Sequence, residues 1–421
     1  MRKILFTLAT IVVLAGLFVG SWFVTGMLSS SGEETAVGTP DTSVVDGDAT
    51  VVDATTPGDT AGTPSGGPQS EVIFPLPADI FAFEVNLGTV MRQFGANSFA
   101  KTRVMAYASI AWYETLSLPG APTFISEAGA GQGPSQAMLA AGAVAVELLD
   151  NPEVAAVVEA WEGDLSEQTA GVVAKVAAYA DADGYNATAN ATAPTFDGEF
   201  AWKTGSARDG VFGGYEPAYG KIRTIAIDPA ACPVDVAPID ALRAEKAALA
   251  SVDKTVPAPI IGQPSRFTLV AFAYMNRILP PGQKQNLYYQ GQNLAVALHD
   301  AMILTWKANW ENGVAAPVDM FAGDNTSIMS SYPSYPSWTD VAASATEAYV
   351  SNILGNRITM DTMIEYLLKN HDSDDFKDQI ELLREDFKNS ASSTHHWNVD
   401  REAGRKLGTC VAGEALKALS K

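Results

Sequence analysis

Three short stretches of this 421-residue chain carry side chains able to hold or attack an oxyanion. Ser337 stands in SYPSYPSWTD (331–340), where an irregular stretch runs into an Ala-rich helical one. A Ser at such a junction gathers backbone N–H groups and the positive end of the helix dipole around an anion. Chemistry there calls for a neighbouring His or Arg, and the stretch offers Trp338 and Thr339 instead. A plainer pattern fits the same residues. Ser337 and Asp340 are spaced as a capping box, with a carboxylate where an anion would sit. His395 and His396 lie just ahead of the last helical segment, either as surface or capping residues or as metal ligands whose partners no spacing identifies. Lys307 and Asp300 are two turns apart on one apolar segment. A charge there needs a partner or, for Lys307 near the segment's end, a route to water.

The elements that must position these groups are helices. Ala-rich stretches with helical periodicity recur at 83–117, 135–150, 152–182, 237–253, 266–279, 284–311, 339–354, 358–369, 373–388 and 400–420, while period-two alternation is scarce. Punctuation such as Asn151-Pro152 and Pro280-Pro281-Gly282 marks several ends. The fold class predicted is all-α, a large helical domain of two packed bundles over 71–421. The segment 284–311 is apolar around its circumference and belongs at the centre. The Gly- and aromatic-rich stretch 184–236 is expected to wrap over the bundle's surface.

Composition bounds the rest. The chain is 47% hydrophobic and 18% charged, enough for a large core, and its net charge of −21 excludes nucleic acid and anionic lipid surfaces as partners. Arg2 and Lys3 precede an uncharged run from Ile4 to Leu28, long enough to cross a bilayer. Residues 1–28 are therefore expected to anchor the protein in a membrane with the remainder outside the cytoplasm, or to release it if they are cleaved. Residues 29–70 hold seven acidic side chains and no Lys or Arg, a Gly/Ser/Thr/Pro-rich composition expected to form a disordered linker. Cys232 and Cys410 are either a disulfide in an oxidising compartment or two separate thiols, and no Cys–His cluster has zinc spacing.

Taken in order, four stretches resemble the vanadium-dependent haloperoxidases and the related acid phosphatases of the phosphatidic acid phosphatase superfamily. RVMAYASIAWYETL (103–116) looks like that family's early core helix, AVALHDAMILTWKANW (295–310) like the helix bearing its anion-binding Lys, PSYPSWTDVAASA (333–345) like its Pro-Ser-Tyr-Pro-Ser-Gly-His motif, and HWNVDREAGRKLG (396–408) like its final His motif. The resemblance implies a phosphate-like anion or a vanadate cofactor. It gives oxyanion-binding places to Lys307, Ser337 and Trp338, and makes His396 the catalytic residue and vanadate ligand.

Departures from the family pattern carry as much weight. An Arg-Pro expected after the Lys is matched only by Ala316-Pro317, the Gly-His pair becomes Trp338-Thr339, and the Arg expected six residues before His396 is Ser390. Vanadate or phosphate brings two or more negative charges. One unit-charge contact near 4 Å is worth roughly 4 kcal/mol at an effective dielectric of about 20. Losing two bidentate guanidiniums should remove most of the affinity, with Arg266, Arg401 and Arg405 as the remaining candidates to replace them. The sequence thus reads as a haloperoxidase-like protein with a degraded oxyanion site, without cofactor and serving a binding or structural role. The alternative is an active haloperoxidase or phosphomonoesterase built on His396.

Overall fold

The computed structural model describes residues 98–119, 123–126, 128–161, 163–188, 191–203, 217–249, 251–253, 264–280, 287–321, 332–370, 374–392 and 394–419. The chain divides into two units between Gln69 and Ser70, and every described residue belongs to the second. The expected anchor (1–28) and linker (29–70) lie outside the described residues. Among the described residues no helix is long and apolar enough to cross a membrane.

The described residues form twelve α-helices: α1 (Ser98–Leu116), α2 (Pro134–Leu149), α3 (Pro152–Glu159), α4 (Glu167–Asp181), α5 (Ile239–Ala248), α6 (Pro264–Ile278), α7 (Leu287–Asn312), α8 (Pro317–Phe321), α9 (Trp338–Leu354), α10 (Met360–Asn370), α11 (Asp374–Ala391) and α12 (Asn398–Leu419). Their only extended pairing is an isolated antiparallel bridge between Ala201 and Val314. The all-α expectation holds. One expected helix, 152–182, is two. Gly163 has φ +138°, a backbone state that interrupts a helix and that L side chains rarely adopt, and α4 restarts with Ser166 accepting the Thr169 N–H as its N-cap.

Helix α7 sits at the centre, against α1, α6, α9 and α12. One face meets α1 through Val296 and through Trp306 on Phe99, with ring centroids 4.3 Å apart. Others bury Leu294, Leu298 and Ile303 with α6, and Ala297, Ala301 and Leu304 with α9 and α12. Asp300 is fully buried on this helix, and its cost is offset because its carboxylate accepts the backbone N–H groups of Ile225, Ala226 and Ile227 at 2.8, 2.8 and 3.1 Å. The irregular stretch between α4 and α5 does more than wrap the surface. Phe200, Trp202, Tyr219 and Ile222 are buried in the core.

The most extensive helix pairing is α9 on α12. It depends on two glycines one helical turn apart. A Cβ on Gly404 would lie 2.6 Å from the Ser337 carbonyl, and one on Gly408 would lie 2.2 Å from the Val341 carbonyl. Bare backbone at these positions lets the two helices close to a separation no larger residue permits. That approach brings the start of α9 against the start of α12. Cys232 and Cys410 form a disulfide with Cα atoms 5.8 Å apart, which ties the stretch before α5 to α12 and settles the choice that the sequence left open.

Candidate functional site

Four segments meet where α9 and α12 begin. The Ser337 N–H donates to the Asp400 carbonyl at 3.0 Å, and the Val318 N–H to the Thr394 carbonyl at 2.8 Å. The Trp397 indole N–H donates to the Ala315 carbonyl at 2.8 Å, and the Asn309 amide to the Pro336 carbonyl at 3.0 Å. The second and third motif stretches are thus brought together, along with the end of α7 and the turn before α8. Burial is nearly complete: Asn309, Ser337, Trp338, Thr339, Ser390, His396 and Asp400 are each at most 2% exposed.

Ser337 is the N-cap of α9, as its spacing predicts. Its hydroxyl donates to an Asp340 carboxylate oxygen at 2.7 Å and accepts the Asp340 N–H at 3.4 Å. The carboxylate also takes Arg405 at 3.2 Å and Arg401 at 3.6 Å. The chain's own anion therefore occupies the dipole end of α9, already paired with two guanidiniums. Helix α12 is filled in the same way. Asp400, three residues into the cap, accepts the Trp397 N–H at 3.0 Å, while Glu245 accepts the N–H groups of Asn398 and Val399 at 2.7 and 3.1 Å. At α8, Asp319 accepts the Ala316 N–H at 3.0 Å. Three helix starts face this region and each is closed by an internal carboxylate.

His396 lies beside Asp400, with Nδ1 3.8 Å from the carboxylate. That is beyond hydrogen-bond reach, so the two act as neighbours in an enclosed space. Neither ring nitrogen has a hydrogen-bond partner among the described residues, and the same holds for the Thr339 and Ser390 hydroxyls, Asn309 Oδ1 and Asp400 Oδ1. Burial pushes the Asp400 carboxyl above the ordinary carboxylate range, opposed by His396 nearby. Tyr335, just ahead of the cap, is pushed up to about 12, chiefly by burial and further by Asp235 and Asp400.

Lys307 is not part of this cluster. Its side chain is 49% exposed, 3.9 Å from Glu311, and lines a separate cavity on the protein's surface. Two residues along a helix turn a side chain by about 200°, so Asn309, not Lys307, is the α7 residue that faces the Ser337 turn. Sequence periodicity does not single out Asn309, because α7 buries both polar and apolar side chains around most of its circumference. Trp338 packs edge-on against Phe267 with centroids 6.4 Å apart, in the main core. Of the candidate replacement arginines, Arg401 and Arg405 are committed to Asp340, and Arg266 pairs with Asp386 at 2.9 Å.

The charged side chains at the helix starts are Asp319, Asp340, Asp400 and Glu245, set against Arg401 and Arg405, so the cluster carries no excess positive charge. The positions where the family resemblance calls for guanidiniums hold Ala316 and Ser390. What the arrangement can do is hold buried polar groups rigidly and present a His–Asp pair in a space of low polarity.

No protein-family model matches the chain, and no curated protein matches it by sequence. The structure is similar to that of a bacterial vanadium-dependent iodoperoxidase, with 14% identity, coverage of 80% of this chain and 96% of that one, and a TM-score of 0.53. A bacterial vanadium-dependent chloroperoxidase aligns over 77% of this chain and 93% of its own at 12% identity, with a TM-score of 0.47. The chain shares the all-α fold of that vanadium-dependent iodoperoxidase.

Proposed function

We propose that this protein is a non-catalytic member of that fold, a binding or structural domain whose oxyanion centre has been replaced by an internally neutralised polar cluster. The observation that carries this reading is Asp340. Its carboxylate stands at the start of α9, bonded to Ser337 and ion-paired with Arg401 and Arg405. An incoming dianion would have to displace it or sit beside it. Thr339 stands where the resemblance calls for an acid/base His, and loss of general acid catalysis alone costs about 10²–10⁴ in rate. The missing guanidiniums at Ala316 and Ser390 remove preorganised stabilisation of the equatorial oxygens as well. In this reading the domain is held outside the cytoplasm by residues 1–28 through the acidic tether 29–70, which the basic-then-apolar start of the chain supports.

The second reading, an active haloperoxidase or phosphomonoesterase built on His396, is favoured by the His396–Asp400 pair and its unpartnered ring nitrogens. Calorimetric titration of the protein with orthovanadate separates the two. The proposal expects no saturable binding at micromolar vanadate, and no bromide oxidation or phosphate-ester hydrolysis that depends on His396. Tight vanadate binding, with turnover that disappears in His396→Ala, would establish the enzyme instead.

A further inference from the structure

The cavity beside Lys307 is distinct from the cluster described above, and we propose that it binds a small organic monoanion with an apolar, ring-sized body, such as an aryl carboxylate or sulfonate. It has a volume of about 490 Å³, within the range of pockets that take small organic ligands. Its walls are apolar. Ile303, Leu304 and Trp310 of α7 line it together with three prolines of the irregular stretches. The ionic groups of its lining are Lys221, Lys307 and Glu311, a net charge of one positive.

The cavity is a built feature. Gly220, in the 3₁₀ turn Tyr219–Lys221, lies so close to α7 that a Cβ there would be 2.3 Å from the Lys307 backbone nitrogen. That close approach holds the Lys221 turn and the root of Lys307 at fixed separation on one side of the cavity. Tyr219, buried in the same turn, packs against Phe99 with its ring tilted and centroids 4.3 Å apart, and fixes the turn from beneath. Trp310 is held between Phe196 and Trp202, with centroids 6.4 and 5.2 Å away.

Charge and surface together select the ligand class. Lys221 has no ion pair among the described residues, and Lys307 meets Glu311 only at 3.9 Å, so both ammonium groups retain capacity for an anion. A bare inorganic anion would leave the Ile303, Leu304 and Trp310 surfaces wet. A cation would face two ammonium groups against one carboxylate. An apolar monoanion satisfies both the walls and the charge. The chain as a whole carries −21, so long-range attraction does not favour anions. Anion binding here must come from the local pair of lysines.

The test is calorimetric titration of the whole chain with 2-naphthalenesulfonate, beside its neutral sulfonamide. One saturable site is expected, weakened about fivefold by each of Lys221→Met and Lys307→Met and by added salt. Glu311→Gln should tighten it. Lys406→Met, which alters a different cavity, should leave it unchanged. The lysine variants change exposed side chains, and unaltered circular dichroism would show that they remain folded. Absence of saturable binding, equal binding of the sulfonamide, or an affinity indifferent to both lysine substitutions would each overturn the assignment.

Discussion

The same substitution, Gly to Ala, should have opposite effects at two sites five residues apart on α12. At Gly408 the new methyl would lie 2.2 Å from the Val341 carbonyl oxygen, 2.2 Å from Ser344 Oγ and 2.8 Å from the Ala345 nitrogen. Ser344 could turn aside, at the expense of its 2.6 Å hydrogen bond to the Asp340 carbonyl, but the Val341 and Ala345 atoms are backbone and cannot. Restoring van der Waals distance requires α9 and α12 to separate by roughly 1.3–1.8 Å at this point, since such contacts settle near 3.5–4.0 Å. The shift loosens Val341, Leu407 and Val411, all buried in one cluster. Overpacking of this kind costs about 1–3 kcal/mol, occasionally more, even though Ala favours the helix by about 1 kcal/mol over Gly. At Gly413 nothing lies within 4 Å of the added methyl. There only the helix preference acts, and Gly413→Ala should stabilise by about 0.5–1 kcal/mol. Guanidinium unfolding of wild type and the two variants, followed by circular dichroism, reads the sign directly. If Gly408→Ala were as stable as wild type, or shifted the same way as Gly413→Ala, the close α9–α12 contact would not be as described and the argument would fail.

Two further predictions rest on single features. The Cys232–Cys410 disulfide closes a loop across a sequence separation of 178, for which chain entropy gives about 5 kcal/mol as an upper figure. Cys232→Ser with Cys410→Ser, or reduction with a thiol, should therefore lower the unfolding midpoint clearly, and an unchanged midpoint would contradict that role. Asp400 has its carboxyl raised by burial, so its contribution to stability is present below the unfolded carboxylate value of about 3.9 and is lost as pH rises through the folded one. Asp400→Asn removes this term. Its stability relative to wild type should improve as pH rises from about 4 through the raised folded value and then level off, and a pH-independent difference would refute the assignment.

Much of the fold was open to reading from the residues alone because helix signals are local. Ala-rich periodicity, the Asn151-Pro152 start and the Ser337-to-Asp340 cap each lie within a few residues, and helices form there. The break after Glu159 was hidden because the residues on both sides, taken separately, are good helix formers; the chain leaves the helix at Ala160, passes Gly163 at positive φ and restarts at the Ser166 cap. The ordered motifs pointed to the haloperoxidase-like fold, since each marks a helix that must pack on the next. Which atoms meet at the centre was decided by tertiary structure. Helix α7 buries side chains around most of its circumference, so its sequence gives no clue to which face meets the Ser337 turn, and Asn309 rather than Lys307 arrives there. Glu245 comes from another helix to close the start of α12, and Arg401 and Arg405 reach Asp340 only because Gly404 and Gly408 let two helices touch. Local sequence sets a helix and its cap, because the interacting atoms are neighbours along the chain. The charge balance of the site depends on residues 60 or more positions apart, whose meeting is determined by packing.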